Sequence, residues 1–162
     1  MKIEAAHEEN AKELLEIYRP YVESSVITFE YDVPTVEEFQ KRIRNIKSKF
    51  PYLIAKNEGV ILGYAYASTY YNRQAYDWTV EVSIYIDEKA RGQGVGKRLY
   101  DELELALVNQ GIKNCLACIA LPNSASIALH EKLGYQKTAH FKEVGYKFGQ
   151  WHDIIWMQKK LR

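Results

Sequence analysis

The sequence predicts a single-domain α/β protein of the α+β type, with a mixed β-sheet flanked by helices. Three observations support this prediction. The chain has 162 residues, a length typical of one domain. Hydrophobic residues make up 47% and charged residues 27% of it, as in folded globular chains. Strand-like and helix-like patterns alternate along the chain without a repeat or a linker, so we expect one domain over residues 1–162.

Charge and cysteine content exclude several classes of protein. Lys and Arg number 22 and Asp and Glu 21, for a net charge of +1, which argues against nucleic-acid binding and against a polybasic membrane surface. No apolar run is long enough for a membrane span, and the first residues lack a signal-peptide pattern. Two cysteines are too few for a disulfide scaffold, so we expect a cytoplasmic, reduced protein.

The first half of the chain predicts two helices and a meander of strands. Thr35 is a candidate N-cap with Glu38 three residues later, as in a capping box. Pro20 is expected to end or kink the first helix. The predicted order is a strand at 2–5, a helix at 10–22, an extended segment at 26–31, a helix from 36 to about 50, and strands at 52–56, 60–71 and 78–86.

The second half predicts a helix, a buried strand, a short helix and two final strands. The first of these helices follows a glycine-rich turn at 91–96, carries an apolar stripe and ends at Gly111. The strand at 115–121 lacks polar alternation, which predicts burial on both faces. Pro122 and Asn123 open the short helix, which ends at Gly134. The final strands are expected at 136–147 and 151–160.

The turn from Arg91 to Lys97 reads Arg-Gly-Gln-Gly-Val-Gly-Lys and lies between a predicted strand and a predicted helix. Backbone amides at a helix N-terminus bind anions. A Walker A loop is excluded because Arg91 and Arg98 occupy two of its required positions. A dinucleotide fingerprint fails because Lys97 or Leu99 stands where its third glycine belongs. The remaining pattern, Arg-x-x-Gly-x-Gly, resembles the coenzyme A pyrophosphate loop of the GNAT acetyltransferase superfamily; a ligand-free glycine turn is the alternative.

Further segments resemble one branch of that superfamily, the phosphinothricin N-acetyltransferases. They are Asn72–Glu81, Leu121–Asn123, Leu129–Tyr135 and Gly145–Asp153, with a similar stretch at Tyr21–Phe29. Members of this branch acetylate the α-amino group of compact glutamate or methionine analogues such as phosphinothricin and methionine sulfoximine, and are typically homodimers. The resemblance therefore implies a centrally splayed sheet of the GNAT type, acetyl-CoA as cosubstrate, a small-molecule amine as substrate and a homodimer.

The resemblance also implies where the cofactor binds. The backbone of the third meander strand is expected to pair with the pantetheine arm, the glycine turn to hold the pyrophosphate, and the turn before the short helix to hydrogen-bond the arm. The residues concerned are Ile84, Tyr85 and Ile86 for the first contact, Arg91, Gly92, Gln93, Gly94, Val95, Gly96 and Lys97 for the second, and Asn123 for the third.

Glu81 is the first candidate for a catalytic residue. An amine with a pKa of about 10.4 is unprotonated in only about one molecule in a few thousand at pH 7, so acetylation needs a base. Glu81 lies on the polar face of an alternating strand that leads to the glycine turn, within a Thr-Val-Glu run that matches the family. An exposed carboxylate, or one paired with an arginine, is the structural alternative.

His130 is the second candidate for a catalytic residue. It follows Asn123, Ser126 and Ile127 at helical spacing, so these four side chains are expected on one helix face. Many superfamily members carry a tyrosine proton donor here, whereas His130 matches the phosphinothricin branch. An imidazole could serve as acid, base or packing group. A backbone N–H between Val82 and Ile84, freed by the splay, is the candidate oxyanion donor.

Three residues are candidates for substrate binding. Arg73 could pair with a substrate carboxylate, and Phe29 and Tyr76 could form pocket walls, although a surface arginine and core aromatics are the alternatives. Cys115 and Cys118 form a C-x-x-C on a predicted strand, where positions i and i+3 point to opposite faces. We therefore expect no metal site.

The function that these observations favour is direct acetyl transfer from acetyl-CoA to the primary amine of a small amino-acid analogue in a ternary complex. Glu81 would deprotonate the amine, and His130 would assist near the sulfur or as a second base. Acetylation of a protein N-terminus or of a polyamine is the alternative within the superfamily. A coenzyme A-binding module without catalysis is the alternative outside it.

Overall fold

The computed structural model describes residues 1–162 and confirms the predicted mixed α+β architecture. A seven-stranded sheet carries four α-helices and three short 3₁₀ turns. The helices are α1 (Ala11–Ser24), α2 (Val36–Lys47), α3 (Val95–Asn109) and α4 (Ser124–Lys132). The strands are β1 (Lys2–Ala5), β2 (Tyr52–Asn57), β3 (Val60–Thr69), β4 (Thr79–Ile86), β5 (Asn114–Ala120), β6 (Gln136–Lys147) and β7 (Gln150–Lys160).

The sheet opens in its middle. Its strand order is β1-β2-β3-β4-β5-β7-β6, and β4 and β5 are the parallel pair in an otherwise antiparallel sheet. These two strands pair only at Thr79–Asn114, Val80–Cys115 and Glu81–Leu116. Beyond Glu81 the strands separate, which confirms the predicted splay and leaves a groove between their carboxyl ends.

Apolar side chains cover both faces of the sheet. On one face, Val80 and Val82 of β4 pack with Leu99 and Leu103 of α3 in a cluster of 19 buried residues. On the other face, α1 and α2 pack on β2 and β3 in a cluster of 14 buried residues that includes Tyr64. The alternation of β4 is therefore real, and it places Glu81 on the α1–α2 face.

The structure departs from the sequence-based expectations at three places. Helix α1 continues through Pro20 to Ser24, because Tyr21 and Val22 bury apolar surface beyond the proline and offset its lost hydrogen bond. Residues 26–31 form no strand. Helix α2 ends at Lys47 rather than near Phe50, because the Phe50 side chain turns into the core.

Two other local predictions have opposite outcomes. The Thr35 side chain accepts a hydrogen bond from the Glu38 amide at 3.1 Å, which confirms the N-cap. Strand β5 is not covered on both faces, because Cys118 is exposed. On this face α1 and α2 pack on β2 and β3, and β5 contributes no residue to their buried cluster.

Candidate active site

The groove between β4 and β5 brings together residues from five parts of the chain. Its volume is about 60 Å³. Strands β4 and β5 form its sides, α3 and α4 contribute one wall, and the segment between α1 and α2 closes it. The lining residues are Ile27, Val82, Ser83, Ile84, Tyr85, Tyr100, Ala117, Cys118, Ile119, Ala120, Asn123, Ser126 and His130.

Glu81 lies at the point where β4 and β5 separate. It is the last β4 residue paired with β5, opposite Leu116. Its side chain is half-buried, and burial raises the pKa of its carboxyl above the ordinary value without any opposing hydrogen bond or positive charge. The alternative of a carboxylate paired with an arginine is therefore not what the structure shows. A carboxylate of this kind can accept a proton from an amine near neutral pH.

The predicted substrate residues lie on the same face of the sheet as Glu81. Glu81 pairs with Leu116 of β5. Leu116 and Cys118 are two residues apart, so they point to the same side of the sheet, and Cys118 pairs with Trp156 of β7. The Tyr70 ring packs on Trp156 at 5.7 Å and on Tyr76 at 5.7 Å. The ring contacts therefore place Tyr76 on the same side of the sheet as Glu81.

Phe29 and Arg73 approach this face from two loops. The Phe29 ring lies 6.4 Å from the His152 ring of β7, on the face that also carries Trp156. Arg73 is exposed, and its guanidinium lies 5.5 Å from the centre of the Tyr71 ring. The Arg73 side chain forms no salt bridge in the structure, so its charge is available to an anion.

His130 is buried at the end of the groove, and both of its ring nitrogens have protein partners. It is 2% exposed. Nδ1 lies 2.7 Å from the Ser126 carbonyl oxygen and therefore donates to it. Nε2 lies 2.9 Å from the Tyr100 hydroxyl, which donates in turn. Burial lowers the pKa of His130, so the imidazole is neutral and has no ring nitrogen left for substrate.

The glycine turn leads directly into α3. Gly92 and Gly94 have φ values of +76° and +78°, a conformation that favours glycine. No side chain caps the helix, and Arg98 is the first residue whose amide donates back, to the Gly94 carbonyl at 3.2 Å. The amides before Arg98 therefore face outward without intrahelical partners, as an anion site requires.

The side chains of this turn have different surroundings. Arg91 donates to the Tyr21 hydroxyl at 3.1 Å, and Lys97 pairs with Asp101 at 2.6 Å on the exposed helix surface. Gln93 donates to the Lys89 carbonyl at 3.3 Å. The Arg91 charge is therefore attached to α1, whereas the Lys97 charge is paired within α3.

Asn123 caps α4 and also lines the groove. Its Oδ1 accepts from the Ser126 amide at 3.2 Å, which leaves the side-chain N–H₂ to donate elsewhere. Ser126 and His130 share the groove with it, as their spacing predicted. Ile127 does not, because it faces a separate cavity with Tyr135 and Met157.

Sequence reasoning missed six groove residues, which are Ile27, Tyr100, Ala117, Cys118, Ile119 and Ala120. Tyr100 adjoins the apolar stripe of α3 and is indistinguishable from core in sequence. Ile27 lies in a segment without periodicity. Cys118 was weighed only as a metal ligand, and the predicted opposite faces are confirmed, with Cys115 buried and Cys118 exposed. Although the residue is exposed, partial burial of its thiol and the nearby Glu81 carboxylate raise the pKa of Cys118 to about 11, so the thiol is protonated at neutral pH.

Other features of the structure offer no competing centre. A cavity of about 250 Å³ lies between α1, α2 and the sheet, but its charged pair is satisfied internally, since Arg42 donates to both oxygens of Glu30 at 2.6 and 3.0 Å. No group of three or more His, Cys, Asp or Glu side chains could hold a metal ion. No helix combines the length and apolarity needed to cross a membrane.

A mixed sheet that opens between its parallel strands, with a glycine turn opening the next helix, defines a class of acyl-CoA-dependent transferases. The model of the acetyltransferase (GNAT) domain matches residues 3–156. The chain therefore belongs to the GNAT acetyltransferase family, as its sequence indicated, and is an acetyl-CoA-dependent N-acetyltransferase.

Two curated relatives are named for the acetylation of amino-acid analogues. The phosphinothricin N-acetyltransferase of Streptomyces viridochromogenes is 38% identical over 144 residues, 89% of this chain and 79% of the relative. The L-methionine sulfoximine/L-methionine sulfone acetyltransferase of Salmonella typhimurium is 36% identical over 112 residues, 69% of this chain and 66% of the relative.

Two solved structures match nearly the whole chain. The phosphinothricin acetyltransferase of Sinorhizobium meliloti, in complex with acetyl-CoA, has a TM-score of 0.95 and 38% identity, covering 99% of this chain and 88% of that one. The ribosomal-protein-alanine N-acetyltransferase of Brucella melitensis has a TM-score of 0.96 and 33% identity, covering 99% and 100%. The fold and the family are thus shared by proteins named for different acceptors.

The surroundings of His130 lead to a prediction. Because burial disfavours the imidazolium, His130 should take up a proton at a pH below the ordinary value of about 6.5. The unfolded chain would protonate first, so stability contributed by the neutral ring should decline as the pH falls below about 6.5. Nitrogen-15 NMR of the imidazoles would measure this. A His130 midpoint at or above the ordinary value would show that burial does not control the protonation of this ring.

Proposed function

We propose that this protein transfers the acetyl group of acetyl-CoA to the primary amine of a small amino-acid-like substrate of the phosphinothricin or methionine sulfoximine type. The observation that carries the proposal is Glu81. Its carboxylate is half-buried, has no charged partner and lies where β4 leaves β5. The names of the relatives support the substrate class.

The splay provides the proposed position of the cofactor. Residues Ile84–Ile86 keep their pairing with β3 but have no β5 partner. Their free edge can pair with the pantetheine amides as an added strand would. The outward amides from Gly92 to Lys97 then receive the pyrophosphate, and the Asn123 side chain donates to the arm. This places the thioester beside Glu81.

The reaction proposed for this site is direct attack. Glu81 accepts a proton from the substrate ammonium, directly or through water, and the freed amine attacks the thioester carbonyl carbon. A backbone N–H between Val82 and Ile84 donates to the resulting oxyanion. The carbon–sulfur bond then breaks, and the proton that the acylated nitrogen loses passes to the coenzyme A thiolate. Cys118 supports this route over an acetyl-enzyme, because its raised pKa keeps the groove thiol protonated.

For His130 the contacts favour a positioning role over proton transfer. Its bonds to Tyr100 and to the Ser126 carbonyl join α3 to the first turn of α4. That turn begins at Asn123, so the imidazole holds the proposed cofactor contact in place.

The acceptor end of the site fits a carboxylate-bearing amine. The exposed Arg73 guanidinium can pair with the carboxylate, and Phe29 and Tyr76 lie on the same face as Glu81. A protein N-terminus is the second candidate, because a structure with this fold is named for that activity and the loop at 70–78 is open to solvent. A thiol-release screen with amino-acid analogues, peptides and polyamines separates these acceptors.

Replacement of Glu81 by Gln tests the base. The Glu81→Gln variant should lose roughly 10²- to 10⁴-fold in kcat while its acetyl-CoA affinity is unchanged. Because the pKa of Glu81 is raised, wild-type kcat/KM should fall as the pH drops through that raised value, and the variant should lose this dependence. Thiol release measures both. Glu102→Gln, at an exposed carboxylate of α3, is the control, and unchanged turnover in the Glu81 variant would exclude the proposed base.

Two matched glycines test the pyrophosphate turn. Gly94 and Gly111 flank α3, both have positive φ, and a Cβ at either would meet nothing within 4 Å. Alanine at either should cost about 1–2 kcal/mol of stability. Only Gly94→Ala should weaken acetyl-CoA binding, by roughly tenfold, because its Cβ lies where phosphate oxygens approach. Calorimetric titration measures this; equal affinities in both variants would place the pyrophosphate elsewhere.

We also propose a homodimer, as the resemblance implies. The β6–β7 hairpin and the segment before α2 expose Tyr31, Phe148 and Trp151 at 61%, 59% and 60%, an aromatic surface of the kind found at interfaces. Sedimentation equilibrium should give twice the chain mass for the wild type and the monomer mass for Trp151→Glu. Wild-type protein that sediments as a monomer would exclude the dimer.

A further inference from the structure

We propose that Lys147 and Gly145 of β6 are positioning residues that set the acceptor wall of the groove. Lys147 holds the segment Ser25–Tyr31 against the β6–β7 hairpin, and Gly145 leaves the space that the Phe29 ring fills. The inference rests on the proposed function, because it takes the groove end beside Ile27 and Phe29 as the place where the acceptor binds.

The first observation is a buried ammonium without a carboxylate partner. Lys147 is 2% exposed. Its Nζ donates to the backbone carbonyls of Ser25 at 2.7 Å and Thr28 at 2.9 Å. Burial lowers its pKa, against a raising influence of the Glu30 carboxylate. A buried charge is costly unless it is hydrogen-bonded. The two carbonyls therefore stabilise the buried ammonium, and the ammonium satisfies the two carbonyls.

The second observation is the contact at Gly145. A Cβ there would lie 2.1, 2.3 and 2.8 Å from three atoms of the Phe29 ring. Gly145 has no positive φ, so the backbone itself would accept alanine. The glycine is required because the aromatic ring lies directly on the strand. A third contact also joins the segment to β6, because the Tyr31 hydroxyl donates to the Tyr146 carbonyl.

The opposite side of the segment is also attached. The Tyr18 hydroxyl of α1 contacts the Thr28 hydroxyl at 2.7 Å and donates to Glu30 at 2.6 Å. Arg42 of α2 pairs with Glu30 at 2.6 Å. The segment has no regular secondary structure, so these contacts and those with β6 define its path.

The attachment affects the groove through Ile27, which lies in sequence between Ser25 and Thr28, the two residues whose carbonyls Lys147 holds. Ile27 lines the groove together with Ser83 and Cys118. Phe29 lies two residues further along and packs near His152 on the face that carries Glu81. A change at Lys147 or Gly145 should therefore alter the acceptor wall, and it should leave the glycine turn unaffected because neither residue is hydrogen-bonded to that turn.

The first test replaces Lys147 by Met, which keeps much of the length and removes the donors. The Lys147→Met variant should raise the acceptor KM roughly tenfold, because two buried carbonyls lose their donor, with acetyl-CoA affinity within twofold of wild type. Hydrogen exchange should accelerate at residues 25–31 only. Lys137→Met, at an exposed lysine of the same strand, is the control and should change neither. Unchanged exchange at residues 25–31, or faster exchange there with an unchanged KM, would overturn the inference.

The second test is a double-mutant cycle, which remains informative if Lys147→Met fails to fold. Gly145→Ala alone should raise the acceptor KM, because the Phe29 ring must leave its place. In the Phe29→Ala background the same substitution should have little further effect, since the ring is absent. Additive effects of Gly145→Ala and Phe29→Ala would show that the glycine acts independently of Phe29 and would overturn its assigned role.

Failure of the proposed function would look different. If wild-type enzyme released no thiol with any small amine, the proposed substrate class would be wrong. The KM values of the variants would then be compared with peptides as acceptors. If the enzyme released no thiol with peptides either, hydrogen exchange alone would test whether Lys147 and Gly145 hold the segment. Acceleration confined to residues 25–31 in Lys147→Met and Gly145→Ala would support the attachment, and acceleration spread over the sheet would overturn it.

Discussion

The separation of β4 from β5 is the constraint on which the rest of the site depends. Three residue pairs join these parallel strands, and the pairing ends at Glu81. Every later residue of β4 keeps β3 as its neighbour and has no β5 partner on its other edge. The groove is therefore a consequence of strand pairing rather than of any one side chain.

Electrostatics around this groove distinguish its ionisable groups. Glu30 and Arg42 neutralise each other, and His130 is neutral within a short hydrogen-bonded chain. Glu81 has no such compensation, and burial alone raises the pKa of its carboxyl. A single half-buried carboxylate near the proposed thioester is a simple arrangement for taking a proton from an amine. The groove thiol, by contrast, is held in its protonated form.

The chain N-terminal to α2 and the C-terminal hairpin meet across this site although more than a hundred residues separate them in sequence. Lys147 and Gly145 contact a segment that has no strand or helix of its own. Relatives of similar fold are named for amino-acid analogues and for a ribosomal protein.

Local patterns in the sequence determined much of this protein. The alternation of β4, the Thr35 cap and the glycine turn each depend on neighbouring residues, and each is confirmed as structure. The family and the acetyl-CoA chemistry followed from motifs of the same local kind. Tertiary structure alone decided the path of residues 26–31, the continuation of α1 past Pro20, the two partners of His130 and the contacts of Lys147. These depend on packing between segments distant in sequence, and no local period or spacing encodes them.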